Sequence, residues 1–73
     1  METKRQKFER LANARTNKIL DMIDLLGNLS NKLNYEYTKS DVEKIFNAIE
    51  SDLKDAKKRF DAGDATKKEK FSL

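Results

Sequence analysis

Asp21 and Asp24 stand three residues apart, the spacing that sets two carboxylates on one helical face. Such a pair could share a proton or help hold a cation. General acid–base catalysis also needs a pocket that separates the two pKa values, and most nucleophilic or metal chemistry draws on histidine or cysteine. The sequence contains neither residue type. It has no glycine-rich phosphate loop and no transition-metal ligand spacing. Asp21 and Asp24 therefore read as ordinary helix surface. No catalytic residue, cofactor-binding residue or metal ligand is assigned, and the expectation is a non-enzymatic chain.

Charge is the next feature with chemical content. Residues 1–18 carry a formal charge of +4, residues 19–53 of −4 and residues 54–73 of +3, in a chain of net charge +3. Lys4, Arg5, Lys7 and Arg10 crowd the positive end of a first helix, and Asp21 and Asp24 approach its negative end. Both placements oppose the helix dipole at a cost of about a few tenths of a kcal/mol each. Cations held against a local cost suit an anionic partner. Lys4, Arg5, Lys7, Arg10, Lys57, Lys58 and Arg59 are thus candidate nucleic-acid contacts, aided by Lys67 and Lys68. The ordinary alternative is a basic helix end of the kind many small proteins carry.

These side chains depend on two helices. The sequence has no proline, and its only glycines are Gly27 and Gly63, so the long segments between are free to be helical. Phe8, Leu11, Ala12, Ile19, Met22, Ile23 and Leu26 recur at spacings of three and four, which predicts a helix over residues 4–26. Gly27 is expected to end it in a left-handed conformation. A second helix is expected over residues 39–60, on the stripe Val42, Ile45, Phe46, Ile49, Leu53, Ala56 and Phe60. Thr38 is its N-cap, with Asp41 in place of the usual Glu of a capping box. Tyr37 and Val42 form the hydrophobic staple. Lys57, Lys58 and Arg59 would fall in the last turn, favourable to the dipole.

One antiparallel register, pairing residues whose numbers sum to about 68, matches both stripes. It sets Phe8 beside Phe60, Ala12 beside Ala56, Ile19 beside Ile49, Met22 beside Phe46 and Leu26 beside Val42. Arg15 is the exception on the stripe. It could pair with Asp52, lie near a dimer seam, or carry its head to water over an apolar stem.

The corner, residues 27–38, holds Leu29, Leu33, Tyr35 and Tyr37, which are expected to fold back as a plug, with a helical turn over 29–33. Its Asn28, Asn31 and Asn34 could read a base or a protein partner. The ordinary alternative is that they cap helix ends and make turns. Residues 61–73 have little to bury and are expected to form a flexible C-terminal tail.

Gly27–Asn31, Asn34–Thr38 and Asp41–Phe46 resemble the corner of a group of small bacterial helical-hairpin proteins, some of them on mobile elements. That likeness covers residues 8–60 and implies no activity. In architecture alone, the chain is also similar to the Rop-type plasmid regulators, whose hairpins dimerise into a four-helix bundle that binds RNA.

The resulting expectation is an all-α antiparallel hairpin over residues 1–60 that dimerises into a four-helix bundle. A lone core is marginal at 73 residues, and without cysteine or a metal site self-association is the reinforcement left. Leu20 and Leu25 flank the first stripe and cannot both face the second helix. With Leu29, Leu33 and Tyr35 they are candidate interface residues. The amino terminus has no apolar signal region, and no segment is long and apolar enough to span a membrane, so a soluble, cytoplasmic protein is expected. The leading function is a protein-interaction or regulatory module with an as yet unidentified protein partner. The rivals are a nucleic-acid-binding accessory protein of a plasmid or mobile element, and an inhibitor or immunity-type protein whose acidic corner meets a basic target.

Overall fold

A computed structural model describes residues 1–63. Those residues are all helical apart from turns and extended links: α1 (Lys4–Gly27), a 3-10 turn (Asn28–Ser30) and α2 (Lys39–Gly63). They fall into two compact units, Met1–Glu36 and the part that begins at Tyr37.

In the first unit, α1 starts at a reciprocal cap. Thr3 Oγ1 accepts from the Gln6 backbone N–H at 3.0 Å, and Gln6 Oε1 accepts from the Thr3 N–H at 2.9 Å. Two of the amide groups that a helix start leaves without carbonyl partners are thereby satisfied. The Thr-x-x-Gln signal lies in the sequence at residues 3–6 but was not part of the sequence-based expectation.

The end of α1 differs from the expectation. Gly27 is still helical, with φ −61° and ψ −29°. Asn28 caps the helix in a right-handed conformation, its N–H shared among the carbonyls of Asp24, Leu25 and Leu26. No left-handed residue is needed, because the chain tightens directly into the 3-10 turn. That turn ends at Ser30, short of the helical turn expected over 29–33.

In the second unit, α2 begins as expected. The Thr38 N–H donates to Asp41 Oδ2 at 2.9 Å and the Asp41 N–H donates to Thr38 Oγ1 at 3.1 Å. The shorter Asp thus closes the box. Tyr37 and Val42 are both half-buried, in keeping with a staple. The helix continues beyond residue 60 to Gly63, since Asp61 and Ala62 offer no break. Its last turn consequently holds no basic residue. Lys57, Lys58 and Arg59 sit earlier, and Asp61 faces the negative end of the dipole. The expected tail is helical at residues 61–63, and its remainder, 64–73, lies outside the described residues, as do Lys67 and Lys68.

Among the described residues no side chain is fully buried. Phe8 is 48% exposed, Phe46 42% and Phe60 69%. A single helix cannot cover its own stripe, so each unit carries an apolar face that needs a second surface.

Candidate interaction surfaces

The basic end of α1 is partly neutralised from within. Glu2 reaches Arg10 with both carboxylate oxygens, at 2.8 Å from Nε and 3.1 Å from Nη2. This bond raises the Arg10 pKa above the ordinary arginine value, with a little desolvation working against it. Arg5 Nε lies 3.2 Å from Glu9 Oε2 one turn along, and its guanidinium sits 5.8 Å from the centre of the Phe8 ring. Lys4, Lys7, Lys57, Lys58 and Arg59 make no ion pair among the described residues. Of the seven candidate nucleic-acid contacts, the two α1 arginines are thus already engaged with acids. Arg15 is exposed.

The corner is organised by Asn31. Its Oδ1 accepts from the Leu33 N–H at 3.0 Å, and its carbonyl accepts from the Asn34 and Tyr35 N–H groups at 3.1 and 3.0 Å. Asn31 therefore builds the turn through its side-chain amide, the local role that amides take in turns, while Asn28 caps α1 through its backbone N–H. The same turn corrects the expected plug. Leu33 is 94% exposed, held outward by the backbone that Asn31 fixes, and Leu29 and Tyr35 are exposed as well.

The apolar faces are the most extensive feature. On α1, Leu20 and Leu25 are exposed with Ile19, Met22 and Ile23. On α2, Ile49, Leu53 and Ala56 line a shallow groove edged by Asp52, Asp55 and Arg59. Val42, Phe46, Ile49, Leu53, Ala56 and Phe60 alternate spacings of four and three without interruption. In a left-handed helix pair, a seven-residue repeat of this kind is the pattern that faces the partner. On α1 the positions Phe8, Ala12, Arg15, Ile19, Met22 and Leu26 keep the same repeat, with Arg15 as its single charged member. Of the charged groups on the rims of these seams, Lys57 is already a candidate nucleic-acid contact and Asp52 a possible partner of Arg15, whereas Glu9 and Lys18 carry no expected role, although the repeat that marks them is present in the spacing.

Comparison with family models, curated proteins and solved structures finds no match. Among the described residues no cluster of acidic side chains is arranged to hold a metal ion, and no helix is long and apolar enough to cross a membrane.

Proposed function

We propose that this chain is a helix-pairing interaction module, a small regulatory or accessory protein that works through protein contacts. In this reading α1 and α2 pair as an antiparallel hairpin, and two copies complete a four-helix bundle. One observation carries it: α2 bears a continuous apolar seam and α1 a seam broken only at Arg15, yet no described side chain is buried. Exposed seams of this extent are interaction surfaces. The paired register covers them helix to helix, and Leu20, outside that register, with Leu25 at its rim, supplies the contact between copies. Sedimentation across concentration tests the reading, since bundle formation doubles the mass.

A second reading, nucleic-acid binding, draws on the five exposed cations Lys4, Lys7, Lys57, Lys58 and Arg59 that have no ion-pair partner among the described residues. Its weight is reduced by the engagement of Arg5 and Arg10 with Glu9 and Glu2.

A further inference from the structure

We propose that the helix that occupies the α2 seam is one of α1 sequence, selected by two opposite-charge pairs on the seam's rims, Glu9 with Lys57 and Lys18 with Asp52. The inference rests on the helix-pairing reading and names the residues that give that pairing its specificity.

The seven-residue repeat sets which positions meet. In heptad notation, Val42, Ile49 and Ala56 occupy d positions of α2, and Phe46, Leu53 and Phe60 occupy a positions. On α1, Phe8, Arg15 and Met22 are d, and Ala12, Ile19 and Leu26 are a. An antiparallel pair meets a with d, and the register that brings Phe8 to Phe60 does so at every layer down to Leu26 with Val42. Residues at e and g flank such a seam and set partner choice and orientation. In this register the e rim brings Glu9 to Lys57 and Thr16 to Glu50. The g rim brings Lys18 to Asp52 and Leu25 to Ile45. No like charges face each other.

Two of the competing pairings carry charge penalties. Two copies of α2 in antiparallel register place Glu50 against Glu50 and Asp52 against Asp52. Two parallel copies of α1 place Arg15 against Arg15 inside the seam, a like-charge contact, whereas the mixed register sets a single Arg15 at the level of Leu53 and Asp52. A parallel pair of α2 helices escapes like-charge contacts, because Asp52 then faces Lys57 of the second copy. It leaves the α1 seam without an occupant, whereas the mixed pair covers both. In the structure the candidate rim groups are accessible: Lys18, Asp52 and Lys57 are exposed, and Glu9 holds only a surface contact to Arg5.

The test is a set of charge exchanges in the full chain, read by urea unfolding at low salt. Single reversals Lys57→Glu and Asp52→Lys should each lower the folded-to-unfolded ratio roughly two- to fivefold, the scale of one flanking ion pair. Adding Glu9→Lys to the first, or Lys18→Glu to the second, should restore it. About 1 M salt should flatten all of these differences, because it shortens the screening length to about 3 Å. Rescue of Lys57→Glu by Asp52→Lys but not by Glu9→Lys would establish parallel α2 pairing and overturn the proposal. Cooperative unfolding in every variant without any rescue would overturn the rim code and leave the helix-pairing reading intact. Gradual, non-cooperative melting of the unaltered chain at all concentrations would remove both.

Discussion

Thr38 and Asp41 each donate a backbone N–H to the other's side chain, at 2.9 and 3.1 Å, and so fix the first turn of α2. Asp41 also supplies a negative charge where the helix dipole favours one. Thr38→Ala is expected to cost about 1 kcal/mol, the usual scale for an N-cap. Urea unfolding followed by circular dichroism measures it. An unchanged midpoint would mean that α2 starts elsewhere in solution.

Gly27 yields a prediction of the opposite sign. Its φ is −61°, and a Cβ built there meets nothing within 4 Å. Gly27→Ala should therefore stabilise the chain by about 0.5 to 1 kcal/mol, because alanine loses less backbone freedom in a helix. A glycine in the left-handed C-terminal position would respond with a loss, so the thermal midpoint distinguishes the two conformations.

Phe46 and Arg15 lie on matching seams and should respond in opposite directions. Phe46→Ala removes a ring from the α2 seam, and in a closed bundle the loss is about 3 to 5 kcal/mol, enough to unfold so small a protein. Arg15→Leu replaces the single charge on the α1 seam with an apolar group and should raise the midpoint. If Phe46→Ala melts like the unaltered chain, the α2 stripe is not a buried seam.

Much of this organisation was legible in the sequence, for reasons that differ between elements. Thr38 and Asp41 announce α2 through side chains that act within one turn, so local chemistry alone settles the helix start. The end of α1 was not legible, because glycine permits both left-handed and helical φ, and the choice depends on the following 3-10 turn. Leu33 misled for a related reason. Its apolar character suggested burial, but the hydrogen bonds of Asn31 determine where the backbone carries it. The basic end of α1 was legible as charge but not as pairing, since the reach of Glu2 back to Arg10 spans eight residues across the helix start.

The nucleic-acid reading can be tested by fluorescence anisotropy. With Arg5 and Arg10 engaged by acids, the remaining cations are expected to give no measurable binding to duplex DNA, single strands or structured RNA at low salt. Binding that weakens steeply with added salt, and that Lys7→Glu with Lys58→Glu abolishes, would instead identify phosphate contacts at the basic helix ends.

The central claim is that the open seams of α1 and α2 are filled by helix pairing within and between copies. Sedimentation equilibrium across micromolar concentrations tests it most directly, on the unaltered chain and on the variant carrying Leu20→Lys and Leu25→Lys. The expected result is a species of twice the 8.5 kDa chain mass that the double substitution converts to single chains. A helical species of 8.5 kDa at every concentration, unaffected by the substitutions, would contradict it.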